Sequence, residues 1–263
     1  MKQRIITAII AGGVFLPVVL YGGIPLIVIT YILATIGLYE LLRMRNLRLL
    51  SISGLIALLV LWLFLMPKSW QISIQQLPYT KVEIVLIAVL LFLTYTVVTK
   101  NRFTFDDVAF SIMATIYIGF GFYYLIEIRE NGGILYILYS LFIIYATDSG
   151  AYFIGRAIGK RKLWPEISPN KTVEGFIGGI ISAFVISIFF SIFTDINVSF
   201  IKLTLITIVL SIFGQIGDLV ESALKRHYDV KDSGAILPGH GGILDRFDSL
   251  LFVWPLLHFL TLL

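Results

Sequence analysis

The chain has 263 residues, of which 58% are hydrophobic and 14% charged, with a formal net charge of +4 and a mean hydropathy of +0.95. A soluble domain carries about 25% charged residues, so an ordinary soluble globule is excluded, and so small a net charge gives no reason to expect a nucleic-acid partner. The sequence has no cysteine, which also excludes disulfides, zinc–thiolate centres and thiol catalysis.

Recurring apolar runs predict an all-α, polytopic membrane protein with about nine transmembrane helices, near residues 5–21, 24–42, 49–66, 81–99, 107–126, 133–155, 172–193, 200–222 and 244–263. The runs are continuously apolar and do not alternate, which separates them from barrel strands. The start, Met1-Lys2-Gln3-Arg4 before an apolar run, resembles a signal peptide. No small-residue cleavage site follows and a second run begins at once, so it is read as an uncleaved span. Gly12, Gly13 and Pro17 predict a kink or close packing within it, and Gly22-Gly23-Ile24-Pro25 a tight turn after it. Residues 1–105 form an expected N-terminal transmembrane scaffold and 106–263 the C-terminal transmembrane catalytic region.

Sixteen of the 20 Lys and Arg fall in one set of alternate connecting segments, which include Arg43, Arg45 and Arg48, then Lys100, then Arg156 to Lys171, then Lys225 to Arg246. Lys68, Lys81, Arg129 and Lys202 lie on the other side. The positive-inside rule then predicts a cytoplasmic N-terminus and an outside C-terminus. The polar segments on the basic side are longest at 156–171 and 223–243, so chemistry is expected in the last third.

In the sixth span Asp148, Ser149, Tyr152 and Arg156 share a helical face. Asp148 suits either a site or a structural pairing with a neighbouring helix. Ser168 and Thr172 are candidate caps for the seventh span, and Lys171 stands at the helix start, where phosphate binds. Gly175, Gly178 and Gly179 fit close helix packing better than ligand binding. In the eighth span Ser211, Gln215, Asp218, Ser222 and Lys225 line one face, with Glu221 close by. That face could be an interhelical hydrogen-bond seam, but an acid and a base running into a basic segment exceed what a seam needs.

The last span needs about 20 residues to cross a bilayer, which places Asp245, Arg246 and Asp248 in its first turns. Charge capping of a helix N-terminus would account for those acids alone, but not for Asp218 across the connecting segment. Three carboxylates, Asp218, Asp245 and Asp248, beside Lys225, Arg226 and Arg246 predict a place where a metal ion and a polyphosphate meet. Between them, Pro238-Gly239-His240-Gly241-Gly242 can form an anion-binding concavity or a flexible connector, with His240 touching phosphate or merely closing the loop.

The runs Ser222-Ala223-Leu224-Lys225-Arg226, Lys231-Asp232, Pro238 to Gly242 and Asp245-Arg246-Phe247-Asp248 resemble the signature of the phosphatidate cytidylyltransferases, or CDP-diacylglycerol synthases. Asp148-Ser149-Gly150-Ala151-Tyr152 and Ser168-Pro169-Asn170-Lys171-Thr172-Val173-Glu174-Gly175 are similar to two further stretches of that family, with Asn170 a minor departure. The resemblance covers roughly the last 120 residues well. It implies a reaction of CTP with phosphatidic acid to give CDP-diacylglycerol and pyrophosphate, Mg²⁺ as cofactor, and a homodimer in the cell inner (plasma) membrane with its site facing the cytoplasm. Asp218, Asp245 and Asp248 are then expected to hold Mg²⁺, with room for a second, monovalent cation such as K⁺. Lys225, Arg226 and Arg246 would bind phosphates, helped by Lys171. Asp148 and Glu174 would complete the metal shell or orient a base, and Ser168, Thr172, Ser222, His240, Gly241 and Gly242 would contact substrate.

Two other functions fit the residues less well. A CTP-dependent kinase of polyprenol or phytol type would transfer the γ-phosphoryl group to a hydroxyl. A cation-coupled transporter would also carry intramembrane acids, but here they gather near one membrane face and no inverted repeat is evident.

Overall fold

The computed structural model describes residues 2–73 and 80–261. These residues form α1 (Lys2–Tyr21), α2 (Gly23–Met44), α3 (Ile52–Phe64), a short α4 (Lys68–Ser73), α5 (Lys81–Val98), α6 (Phe105–Asn131), α7 (Ile134–Ile158), an antiparallel hairpin of β1 (Lys162–Trp164) and β2 (Ser168–Thr172), then α8 (Val173–Phe193), α9 (Phe200–His227) and α10 (Leu244–Thr261).

Six of these helices, α2, α5, α6, α7, α8 and α9, are long and apolar enough to cross a membrane. The remaining three expected spans correspond to shorter or more polar helices. The apolar stretches Ile9–Tyr21 of α1 and Ile52–Phe64 of α3 are brief, and α10 opens with Asp245, Arg246 and Asp248. The last two residues of the expected 244–263 span, and Met1, lie outside the described residues. The hairpin is a strand element that the all-α reading does not contain. The polar 156–171 segment is also shorter than expected, because α7 continues to Ile158, and α9 continues to His227, so Lys225 and Arg226 are helical.

The chain divides into two compact units, Met1–Glu127 with Asp232–Leu244, and Ile128–Lys231 with Asp245–Leu263. In the first, α1 packs on α2, α2 on α3 and α3 on α5. Leu38, Leu41, Leu61 and Phe64 are fully buried there, and Phe64 meets Phe120 edge-on at 4.8 Å between ring centres. Local chemistry sets the helix starts: Ser51 caps α3 by accepting from Gly54 N–H, and Thr80 and Glu83 close a capping box on α5.

In the second unit α7 and α8 form the most extensive helix pair, and α9 packs on both. Small residues allow this. A methyl group at Gly178 would stand 2.6 Å from Ile154 Cβ, one at Gly175 2.7 Å from the carbonyl of Ala151, and one at Gly179 2.9 Å from that of Thr147. The packing role expected of these glycines is therefore borne out, and the α7–α8 backbones approach as membrane helices do at small residues. Polar pairs fasten the interior further: Thr147 Oγ1 donates to Ser211 Oγ at 2.9 Å, Gln215 Nε2 to the carbonyl of Phe176 at 3.2 Å, and Trp254 Nε1 to Ser140 Oγ at 3.2 Å.

Candidate active site

The second unit contains a pocket of about 470 Å³, within the size range of small-molecule sites. One wall is the α7 face of Asp148, Ala151, Tyr152, Gly155 and Arg156; Leu163, Asn170, Lys171 and Thr172 come from the hairpin, Gly175 and Phe176 from α8, Gln215 and Asp218 from α9. Asp148, Tyr152 and Arg156 thus share a face as their spacing predicts, and Arg156 Nη1 donates to Tyr152 Oη at 3.2 Å.

Among the described residues, the hairpin delivers the one cation paired with an acid of this pocket. Lys171, next to last in β2, places Nζ 2.7 Å from Asp218 Oδ2, with both side chains about one-third exposed, 28% and 34%. Thr172 ends the strand and caps α8 by accepting from Gly175 N–H at 3.1 Å. Of the two candidate caps, Thr172 fills the role while Ser168 pairs opposite Trp164 in the sheet. Glu174 accepts from the N–H groups of Lys160 and Arg161, at 3.0 and 3.2 Å, and so fixes the turn between α7 and the hairpin.

The face of α9 divides in two. Ser211 and Gln215 make the interhelical seam, and below them Asp218 opens to the pocket and accepts from Ser222 Oγ at 3.3 Å. Lys225 lies deeper, 16% exposed, paired with Asp245 Oδ1 at 2.7 Å and with Glu221, whose side chains are 6% and 1% exposed. Arg226 Nε reaches the carbonyl of Ile167 in the hairpin turn at 3.4 Å. Asp248 accepts from Ser249 N–H at 2.7 Å.

The charges therefore sort into two groups. Asp148, Asp218 and Asp248 feel one another's negative charge, with Lys171 and Arg246 offsetting it at Asp148 and Lys225 at Asp248. Asp245 is instead held by Lys225. Among the described residues no three acidic or imidazole side chains make a ready coordination shell. The donors nevertheless suit a hard cation that brings phosphate ligands with it, since Mg²⁺ typically takes only one or two carboxylates from the protein. Asp148, Asp218 and Asp248 could supply those, and buried Glu221 Oε1 has no hydrogen-bond partner.

The glycine-rich segment belongs to the first unit. Leu237 N–H donates to the carbonyl of Gly241 at 3.0 Å and His240 N–H to that of Leu237 at 2.8 Å, closing a tight loop in which Gly239 and Gly241 have φ of 77° and 82°. L side chains rarely adopt such φ values. His240 Nδ1 is buried without a hydrogen-bond partner. The loop is anchored by a residue that sequence reading leaves in the scaffold. Glu40 of α2, 1% exposed, accepts from Ser233 Oγ at 3.1 Å and from the N–H groups of Ile243 and Leu244, both at 2.9 Å. Its one sequence signal is an acid inside an otherwise apolar run, which marks function in a membrane chain.

Six long apolar helices define an integral membrane protein, and its second unit carries a charged pocket. The chain belongs to the cytidylyltransferase family, whose profile matches residues 2–263. It is similar over its whole length to proteins named phosphatidate cytidylyltransferase: 57% identical to that of Bacillus subtilis (strain 168), 51% to that of Staphylococcus saprophyticus and 48% to that of Staphylococcus aureus (strain COL), covering 98%, 99% and 99% of those chains.

Proposed function

We propose that the protein transfers CMP from CTP to phosphatidic acid, giving CDP-diacylglycerol and pyrophosphate. The observation that carries the reading is the pocket in which Lys171 and Asp218 pair at 2.7 Å beside Asp148 and Arg156; the names of the full-length relatives supply the substrates. An oxygen of the phosphatidate phosphate attacks the α-phosphorus of CTP, the bond to the β-phosphate oxygen breaks, and pyrophosphate leaves with the electron pair. That nucleophile is already anionic near neutral pH, so the work of the side chains is positioning and charge neutralisation.

Lys171, Arg156 and Arg246 are suited to bind phosphate oxygens, and Arg226 ties the hairpin turn that carries Lys171. Mg²⁺, when bound, supplies positive charge to nucleotide and leaving-group oxygens. Asp218, Asp245 and Asp248 would hold it, with Asp148 as a further carboxylate. The enzyme is read as a homodimer in the plasma membrane with the pocket facing the cytoplasm. The basic bias of the pocket-side segments supports the sidedness, and the family resemblance supports the dimer.

Two measurements test this. Label in the α-phosphate of CTP is expected to enter the lipid, whereas entry of γ-phosphate label instead would identify a lipid kinase. Asp218→Asn and Asp248→Asn are each expected to lower CDP-diacylglycerol formation at least about 100-fold with folding intact; near-normal turnover in both would remove the carboxylates from the chemistry.

A further inference from the structure

We propose that the turn between α2 and α3 forms a binding site for an anionic phospholipid, whose phosphate is held by Arg43 and Arg48. The first unit contains a cavity of about 770 Å³, to which α2 contributes Tyr39 and Arg43 from its last turns and the turn contributes Arg48. The backbone of the turn is closely held. Asn46 stands in the left-handed region at φ 61°, which asparagine tolerates better than most side chains. Around it the N–H of Leu47 donates to the carbonyl of Leu42 at 2.8 Å, and that of Asn46 to the carbonyl of Arg43 at 2.9 Å, the paired bonds that close a helix C-terminus. On the far side, the N–H and the hydroxyl of Ser51 both donate to the carbonyl of Arg48, at 3.1 and 2.6 Å. Gly54 completes the clamp, since a methyl group there would collide with the carbonyls of Arg48 and Leu49. Both arginines therefore project from a backbone that is fixed before any ligand arrives.

Three arginines lie here, and they divide by use. Arg45 Nε donates to Asp107 Oδ1 at 3.0 Å and fastens the turn to α6. Arg43 and Arg48 are exposed and line the cavity, and among the described residues neither side chain is in an ion pair or hydrogen bond. A guanidinium presents paired N–H groups that match two oxygens of a phosphate. Much of the remaining lining is apolar: Leu47, Leu49 and Leu50, the last 84% exposed. A free phosphate or nucleotide has no use for those leucines, whereas the acyl chains of a phospholipid cover them. Tyr39 lies near the end of a helix long and apolar enough to cross a membrane, and tyrosine is favoured at headgroup level. A bias of basic residues toward one membrane face explains charge at a helix end, but not a cavity that joins two uncommitted guanidinium groups to an apolar wall. Basic pockets beside membrane helices take anionic headgroups in this way. No residue of this cavity lines the pocket of Asp148 and Lys171, so the lipid site is a second one and stands independently of the proposed reaction.

The test is titration of full-length protein in a neutral detergent with short-chain phosphatidylglycerol, followed by native mass spectrometry. Phosphatidylcholine of the same chain length, which is zwitterionic, is the comparison. All proteins carry Lys171→Met, so that the other pocket has lost its phosphate-binding lysine. Arg43→Gln together with Arg48→Gln is expected to weaken phosphatidylglycerol binding at least about tenfold, because the charge-assisted hydrogen bonds of both arginines are lost. Arg43→Lys together with Arg48→Lys keeps the charge but not the paired N–H groups, and is expected to bind with intermediate strength. Unchanged binding in the glutamine variant overturns the proposal, and so does equally tight binding of phosphatidylcholine. Full-strength binding in the lysine variant overturns it in favour of general charge attraction. Displacement of the lipid by inorganic phosphate, at ionic strength held constant with sodium chloride, overturns the lipid as occupant in favour of a free anion. If the double glutamine variant does not fold, Arg48→Gln alone, at an exposed position, carries the same comparison.

Discussion

Lys171 and Lys225 each lie 2.7 Å from an aspartate, yet the two pairs have different consequences. Lys171 and Asp218 are partly solvated, where an ion pair contributes at most about 1 kcal/mol. Lys225 lies between two buried carboxylates, Glu221 and Asp245, and removing it takes that cation from both. Breaking such a buried pair costs about 3–5 kcal/mol. Lys225→Met should thus sharply lower the unfolding temperature in detergent, with Glu221→Gln recovering part of the loss. Lys171→Met should leave that temperature nearly unchanged while abolishing most turnover. Comparable thermal shifts in the two variants would contradict this division. Sequence reading found both lysines and all four aspartates but not their partners. Helical spacing reveals Glu221 with Lys225, because the two are one turn apart. It says nothing of Lys171 with Asp218 or Lys225 with Asp245, which meet only after the hairpin and α10 pack against α9. Glu40 was hidden for the same reason: its partners follow nearly 200 residues later.

At the scale of elements, the long apolar helices were legible because twenty-odd apolar residues have few other fates. The hairpin was not, since β1 and β2 have only 3 and 5 residues. It owes its form to anchoring: Glu174 grips the turn before it, Arg226 the carbonyl of Ile167 within it, and Thr172 caps the helix after it. The glycine seam between α7 and α8 makes a sharper prediction. Gly178→Ala puts a methyl group 2.6 Å from Ile154 Cβ, and overpacking of that kind costs about 1–3 kcal/mol. Gly12 and Gly13 in α1 have nothing within 4 Å of such a methyl, so alanine there should be neutral or stabilise by about 0.5–1 kcal/mol through helix propensity. Thermal unfolding of the three variants in one detergent checks the contrast. Ile154→Ala in the Gly178→Ala background should recover only part of the loss, because it removes Ile154 Cδ1 and Cγ2 but keeps the Cβ at 2.6 Å.

For the whole molecule, the open quantity is which side of the membrane each polar segment occupies, and α3 decides it. Thirteen residues of helix span about 20 Å, less than the roughly 30 Å hydrocarbon thickness. If α3 nevertheless crosses, with help from residues flanking it, the basic segments stay on one side, sixteen of the 20 Lys and Arg together. If α3 enters and returns, every later segment changes side and the bias is destroyed, placing Lys100 and Lys160 outside. Clustered basic charge resists translocation, so crossing is the expected outcome. The cysteine-free chain makes the check clean. Single substitutions Lys100→Cys, Lys160→Cys and Lys202→Cys are treated in intact cells with a membrane-impermeant maleimide. Lys202→Cys should react at once, and the other two only after the membrane is opened. Reaction of Lys160→Cys in intact cells would put the pocket's hairpin on the outer face, away from cellular CTP, and the proposed reaction could not proceed there.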